Sequence, residues 1–491
     1  MRESEKRAPI DQIVREICDL LAPGREQRFD PKAQPPVAAI RRHRGRVRLL
    51  QHACRRVLSS AQLLQVTDRH FATLRDLTSL WRDGEFLKFW IGQTISDFGD
   101  QITLLALPLT AVITLHAGPV EMGVLGAVGA APTALFSLFA GVWVDRLPRR
   151  RILIVADLGR ALLLMTIPVA FVLGLLSMAQ LYVVGFAVGT LSVFFIVAYQ
   201  AYLPGLVGRP QLVDANGKMN ASGSLAQLAG PGAAGVLVQV FTAPMPVLVD
   251  ALSFLASVTG LSLIRRAEPP VVARPRDMRA EIREGLSALL RHPVLRTLVA
   301  ASAIFVLLLS AQTAIFILYL VRDLGLDPPV LGLILAIGAV GALVGALLAS
   351  NIARRLGIGP SFILGAVLGT MGLASRAVLF QSPEATVATV AAMQFVLFFG
   401  ASLFNVNGPS LRQALTPSHL LGRVNASYRF LVWGTGPFGA LLGGTLGAVL
   451  GLRVALLFAG LACLAVFPIL LLSPLPHIRE VPSPELAPAT S

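Results

Sequence analysis

From Phe86 onward the chain alternates between long apolar stretches and short polar breaks. Apolar stretches fall at 86–115, 122–144, 152–175, 179–203, 217–241 and 246–264. A polar interval at 265–292 follows, and six more apolar stretches come at 294–321, 329–350, 361–380, 385–404, 424–449 and 452–473. A helix needs ~20 mostly apolar residues to cross a bilayer, and each stretch meets that length. The pattern predicts an all-α, polytopic membrane protein: twelve transmembrane helices in two pseudo-symmetric six-helix bundles, at 85–265 and 293–473, joined by a central loop over 266–292. An even number of spans places both chain ends on one side.

Residues 1–84 read differently. Arg41, Arg42, Arg44, Arg46 and Arg48 form a basic run. Ile10, Ile13, Val14, Ile17, Leu20 and Leu21 repeat at helical spacing before Pro23-Gly24, which predicts a short amphipathic helix. A second helical stretch is expected from about Val47 to Trp81. Two readings stand: a cytoplasmic regulatory or membrane-surface arm held by anionic lipid, or a stretch without a role, either a solvated leader or the product of an upstream start codon that is not used. A tail at 474–491 closes the chain. The early acids Glu3, Glu5 and Asp11, with no short apolar core, argue against a cleavable signal peptide and leave the first span as the insertion signal.

Composition agrees with a lipid solvent. Apolar residues make up 55% of the 491 and charged residues only 14%, with a mean hydropathy of +0.70, too little charge to cover a soluble surface of this size. The 44 Gly and 32 Pro suit membrane helices, where small side chains let backbones approach. The net charge of +15 would suit nucleic acid, but its distribution does not. The surplus Arg sits in the N-terminal run and in alternate loops: Arg146, Arg149, Arg150 and Arg151; Arg209 and Lys218; Arg265 to Arg291; Arg354 and Arg355; Arg412 and Arg423. The opposite loops carry little beyond Arg322 and Arg453. The bias predicts that the first set of loops, and both termini, face the cytoplasm of a cell whose inner or plasma membrane holds the protein. No nucleic-acid partner is expected. Cys18, Cys54 and Cys463 suggest neither disulfide framework nor metal spacing.

The two halves repeat. Gly230-Pro231-Gly232-Ala233 recurs as Gly436-Pro437-Phe438-Gly439, an offset of 437 − 231 = 206. The same offset carries Arg149 onto Arg355 and Asp145 onto Asn351. Pro204 and Pro210 in one half, and Pro409 and Pro417 in the other, are expected in the loops before the fifth helices. Transporters are commonly assembled from such repeats, with the binding site at their interface.

Between the second and third spans the chain reads Gly141-Val142-Trp143-Val144-Asp145-Arg146-Leu147-Pro148-Arg149-Arg150. Gly141 would permit close packing at a helix end. Asp145 would meet an Arg or a helix N-terminus, and Arg146, Arg149 and Arg150 would anchor the face, together making a gating latch. The alternative is a topology anchor alone. The second copy, Ser350-Asn351-Ile352-Ala353-Arg354-Arg355, lacks the acid. In the fifth span, Gly217, Gly230-Pro231 and Ala234-Gly235 place small residues and a proline where kinking or close helix contact is needed.

The first of these motifs resembles the G-x-x-x-D-R-x-x-R-R loop of the major facilitator superfamily. The fifth-span pattern is similar to the antiporter motif of its drug exporters, with Ala at two glycine positions. Phe89 to Gln101, with Leu203-Pro204-Gly205-Leu206-Val207 and Asp214-Ala215-Asn216, looks like the branch of macrolide-efflux and enterobactin-exporter proteins, the transmembrane secretion effectors. The resemblance covers roughly residues 86–473 and implies an ion-coupled exporter of small molecules.

Ionisable residues within a span are costly and are candidates for function. Gln93, Ser96, Asp97, Asp100 and Gln101 recur at three and four on one face of the first helix. Asp100 lies about 14 residues into the span, near the bilayer midplane at 1.5 Å per residue. A carboxyl there could exchange a proton near neutral pH, with a cationic substrate competing for the site. Asp97, Asp100, Gln93 and Gln101, with Tyr199 and Gln200 of the fourth span, form the expected proton and substrate site. Asp157 and Arg160 are expected as a structural pair near the cytoplasmic end, Asp250 as interfacial, and Arg376 as reaching outward. Tyr202, Asn405 and Asn407 would line the inner mouth, and Phe194, Phe195, Phe398 and Phe399 would offer apolar contacts.

There is no G-x(4)-G-K-[ST] loop, H-E-x-x-H or G-x-S-x-G pattern. Neither an enzyme nor a cofactor or metal is expected. The expected function is proton-coupled export of amphiphilic small molecules by alternating access. Uptake or lipid movement on the same fold, or a non-transporting sensor or scaffold working through the basic arm, remain as alternatives.

Overall fold

The computed structural model describes residues 80–144, 146–208, 210–268, 278–377, 382–417 and 419–479. The basic N-terminal arm, Asp145, Arg209 and the last residues of the tail lie outside this set. Every regular element among the described residues is helical. Helices α1 (Gly84–Leu109), α2 (Pro119–Val144), α3 (Arg149–Val172), α4 (Met178–Val207), α5 (Leu212–Phe241) and α6 (Pro246–Leu263) follow the first six apolar stretches. Helix α7 (Met278–Arg291) lies in the central loop. The second half contains α8 (Pro293–Arg322), α9 (Pro328–Leu356), α10 (Ile358–Ala374), α11 (Pro383–Leu415), α12 (Leu421–Trp433), α13 (Gly436–Leu450), α14 (Leu452–Ala462) and α15 (Val466–Leu471).

Nine of the described helical segments, counting α14 and α15 as one, are long and apolar enough to cross a membrane. Three further segments complete an order consistent with twelve: α1, which carries Glu85, Lys88, Asp97 and Asp100; the 17-residue α10; and the broken pair α12–α13. The protein is a multi-pass membrane protein.

Local chemistry explains the ends. The Asp83 side chain caps α1, accepting from the N–H of Glu85 at 3.0 Å and of Phe86 at 3.3 Å. Past Pro108, α1 runs into a π turn at Thr110–Thr114. Ser177 caps α4, and Ser382 caps α11.

The structure departs from the hydropathy pattern in four places. Helix α11 runs eleven residues past the apolar stretch, so Asn405 and Asn407 lie inside it, as do Pro409 and, in α4, Pro204. The repeated Gly-Pro behaves differently in the two halves: α5 continues through Pro231, whereas the chain breaks between α12 and α13 just before Pro437. The last apolar stretch is likewise split, by a 3-10 turn at Cys463–Ala465. Finally, the polar central loop holds α7, which packs on α12. A Cβ on Gly285 would fall 2.5 Å from the Arg423 carbonyl oxygen, and Glu284 pairs with Arg423.

The two halves meet through α5 against α9 and α2 against α13, with α8 and α12 also touching α2. Call the face bearing Arg149, Arg265 and α7 the basic face and its opposite the far face. Near the far face one continuous apolar core draws on both halves, joining Ile102, Leu125, Leu164 and Val247 to Ile315, Leu331 and Leu456. Toward the basic face it divides into two separate clusters, one around Phe86, Leu153 and Leu206, the other around Leu298, Phe362 and Val424. Small residues make the far-side seam possible. A Cβ on Gly123 would sit 2.7 Å from the Gly444 Cα, and one on Gly235 would meet the Pro328 carbonyl. There the Arg322 guanidinium also donates to the Ala117 carbonyl at 3.3 Å, across the halves.

Candidate functional site

Four carboxylates and one guanidinium converge inside the first bundle. Helix α1 presents Asp97 and Asp100, α3 presents Asp157 and Arg160, and α6 presents Asp250. Glycine is required at one point of this assembly. A Cβ on Gly99 would lie 2.5 Å from Asp250 Oδ1 and would meet Ser253 Oγ, so only Gly lets α6 bring these groups against α1. Ser253 Oγ donates to Asp250 Oδ1 at 3.1 Å, or to the Asp250 carbonyl at 2.8 Å. One turn further along, Gln93 Nε2 donates to Ser257 Oγ at 2.8 Å.

Arg160 is the hub. It pairs with Asp157, both fully inside the bundle. Its guanidinium lies over the Phe195 ring at 4.4 Å and the Phe254 ring at 4.1 Å, and reaches Ser192 Oγ at 3.5 Å. All four carboxylates lie within its electrostatic reach. Asp157 and Asp250 are buried, and one guanidinium cannot compensate both in a low-dielectric setting, so the excess needs a proton or a cation. Asp157 Oδ2 and Asp250 Oδ2 have no hydrogen-bond partner, which leaves two acceptors for them.

The cluster opens on one side. A cavity of about 340 Å³ is lined by Gln93, Asp97, Tyr199, Met219, Asn220, Gly223, Ser224 and Gln227. Except for Met219 and Gly223 the lining is polar, and Asp97 is its single charge. Gly223 lies opposite Asp97, with a Cβ there 3.7 Å from Asp97 Oδ2. Phe89 stacks on Tyr199 at 5.7 Å and holds its ring in place. Asp100, one turn beyond Asp97, is exposed, with Arg160 and Asp157 within electrostatic reach.

Among the residues expected to form the site, the structure brings Gln93, Asp97 and Tyr199 to one cavity. Asp100 joins the Arg160 cluster behind it. Gln101 packs on α5, where a Cβ on Gly230 would overlap its own Cβ, and Gln200 is exposed without lining this cavity. The fifth-span residues serve helix contact. Gly230 meets α1, Gly235 meets the start of α9, and the Pro231 carbonyl abuts Gly332, while Gly217 faces open space.

At the basic face, Arg149 and Arg150 are bound within their own half. Glu268 accepts from their backbone N–H groups at 2.9 and 3.2 Å, capping α3. Arg150 in return donates to the Leu261 and Ser262 carbonyls at 2.8 and 2.7 Å, capping α6. Asp145 lies outside the described residues, Arg146 is exposed, and a Cβ on Gly141 would meet nothing, so in this arrangement Gly141 makes no close contact. Around α1, Glu85 accepts from Lys88 Nζ at 2.8 Å and from the Arg265 N–H at 2.6 Å.

Several expectations are corrected. Asp250 is not interfacial but 1% exposed. Asp157 lies eight residues into α3, inside the cluster rather than at its rim. Arg376 does not reach outward. It is 2% exposed, donates to Gln394 Oε1 at 2.8 Å and Gln312 Oε1 at 3.4 Å, and lies 4.2 Å over Phe316. Asn407 bonds Ser361 at 2.9 Å inside the second bundle, away from any mouth. Phe398 and the backbone of Phe399 pack on Gly338 and Gly345 of α9. The offset of 206 could have flagged the cluster: it carries Asp97, Asp100, Asp157, Arg160 and Asp250 onto Ala303, Val306, Ile363, Ala366 and Leu456. Charges present in one half and absent from its repeat are not required by the fold.

The sequence profile of the transmembrane secretion effector family matches residues 78–489. The chain is 27% identical over 395 residues to the multidrug efflux pump Tap of Mycolicibacterium fortuitum, covering 78% of this chain and 93% of the pump. It is 28% identical to the uncharacterized MFS-type transporter YfiS of Bacillus subtilis, over 75% of this chain and 88% of that one. Among solved structures, a bacterial homologue of the iron transporter ferroportin in its inward-facing state shares the fold at a TM-score of 0.63 and 18% identity, covering 79% of this chain and 98% of that one.

Proposed function

The chain belongs to the transmembrane secretion effector family of the major facilitator superfamily, and from that premise we propose that it exports amphiphilic small molecules by proton-coupled alternating access. It is a transporter and not an enzyme, and its substrate is a small molecule. The basic face is assigned to the cytoplasm of a cell-membrane protein, because Arg and Lys accumulate on the side that is not translocated.

One observation carries the reading: four carboxylates share Arg160, and the cavity that reaches one of them, Asp97, lies in the basic-face half of the molecule. With that face inside the cell, a cationic amphiphile enters from the cytoplasm and meets Asp97. Protons arriving from outside displace it once the halves rock. The joined core at the far face and the divided core at the basic face support an inward-open resting arrangement. The likeness to Tap, a multidrug efflux pump, supports export over uptake. Arg149 and Arg150 fit a latch that engages the second half only in the opposite state, since here they are held by Glu268 and α6.

The test is efflux of rhodamine 6G from loaded cells, with and without a protonophore. Wild type is expected to show protonophore-sensitive efflux, and Asp100→Asn to lose it at unchanged protein level, with Asp97→Asn weakening dye binding. Sensitive efflux untouched by either substitution would remove the acid cluster from the mechanism. Accumulation of dye in place of depletion would reverse the direction.

A further inference from the structure

A second cavity, of about 220 Å³, lies between the halves in the basic-face part of the molecule. Helices α2 and α4 supply one wall and α12 the other. Its polar groups are Thr133, Ser137, Asn425 and Arg429, and Ile196 and Val197 are among its apolar ones. Arg429 is exposed to this space and has no hydrogen-bonding or ionic partner among the described residues. Ser137 Oγ is buried there without a partner. Asn425 is held in place by Arg412 Nε, which donates to its Oδ1 at 2.7 Å.

The charge of this wall follows from the whole second half. Between residues 293 and 479 the only acids are Asp323, Asp327 and Glu384, all at the far-face ends of spans. Nothing acidic in the described part of that bundle can neutralise Arg429. The offset of 206 sets Arg429 opposite Gly223, the residue that faces Asp97 in the first half. The first half thus has a glycine where the second half carries this cation. Helix α4 borders both cavities: Tyr199 lines the first, and Ile196, one turn away, lines the second.

We propose that Arg429 and the cavity around it bind the acidic group of an amphoteric substrate whose basic group lies at Asp97. The site adds to the export reading and rests on it for the Asp97 end only. A carboxylate, phenolate or phosphoryl oxygen would accept from the Arg429 guanidinium, with the body of the molecule against Ile196 and Val197. A substrate carrying both charges leaves neither wall with an uncompensated charge, which a simple cation would do.

Rhodamine 19 and rhodamine 6G make the comparison with one scaffold, since the first carries a free carboxylate and the second is its ethyl ester. Binding of each is measured by fluorescence anisotropy to the full-length protein in lipid nanodiscs, beside its melting temperature. Wild type is expected to bind rhodamine 19 ~10-fold more tightly than rhodamine 6G, the scale of one charge-assisted hydrogen bond. Arg429→Gln should erase that preference and leave rhodamine 6G unchanged, and Arg429→Lys should restore part of it. The partnerless side chain gives Arg429→Gln no folded bond to lose. Equal binding of both dyes by wild type, or equal weakening of both by Arg429→Gln, would overturn the proposal while sparing the acid site. Binding of neither dye would overturn this proposal and the cationic-site reading together.

Discussion

The two bundles share a fold and a repeat, yet they treat buried charge in opposite ways. The first bundle gathers four carboxylates around Arg160. The second buries Arg376 among neutral groups, Gln312, Gln394 and the Phe316 ring. The repeat offset carries Arg376, Gln312 and Gln394 back onto Ala170, Ala106 and Val188. Neither set of charges has a counterpart in the other half, so neither is needed to build a six-helix bundle. The fold supplies two similar frames, and the polar substitutions make one frame anionic and the other cationic. A substrate path between unlike walls is selective in a way that a symmetric path is not.

Substituting the two arginines gives the largest expected effect. Arg160→Ala strips the shared cation from buried carboxylates, and breaking a buried pair costs about 3–5 kcal/mol. The melting temperature in detergent should fall steeply and transport should cease. Arg376→Met removes a charge that has no carboxylate partner, and Gln312 keeps its bonds to the Leu373 and Leu456 carbonyls at 3.0 and 2.7 Å. Gln394 Oε1 loses its donor, so a loss of ~1–3 kcal/mol is expected for the acceptor left unpaired, short of that of Arg160→Ala. A loss as large as that of Arg160→Ala would mean that an anion accompanies Arg376, and the contrast between the bundles would narrow.

A smaller effect is expected from a methyl group placed at the centre of the first bundle. Gly99→Ala forces Ser253 and Asp250 away from α1, at the ~1–3 kcal/mol typical of overpacking. Gly141→Ala, where a Cβ meets nothing, serves as its control. If the two variants melt together, α1 and α6 are looser than their contacts imply.

The smallest effect concerns a feature on which the halves agree. In each, the segment after the sixth span returns to the N-terminus of the third. Glu268 accepts from Arg149 and Arg150 N–H, and in the second half the carbonyls of Ile478 and Arg479 accept from Gly359 at 2.9 Å and Ile358 at 3.2 Å. Glu268→Ala should cost ~1 kcal/mol, the value of a lost helix cap, read as a few degrees of melting temperature. No change would show that water satisfies those donors as well as the carboxylate does.

The hydropathy pattern alone specified the order of spans, because a chain must bury its backbone polar groups in helices to cross lipid and each crossing has a minimum length. The loop motifs and the repeat offset led to the superfamily. Asp97, Gln93 and Tyr199 were legible as a group through their placement on α1 and at the matching depth of α4. Only the tertiary structure decided which charges meet. Asp250 and Arg160 lie 90 positions apart in the chain, and their convergence depends on the rotation of α3 and α6 about α1, which is governed by packing at Gly99 and around Phe254. The burial of Arg376 and the isolation of Arg429 were hidden for the same reason. A helical repeat tells which residues share a face, but which neighbour that face meets is decided by close packing between helices distant in sequence.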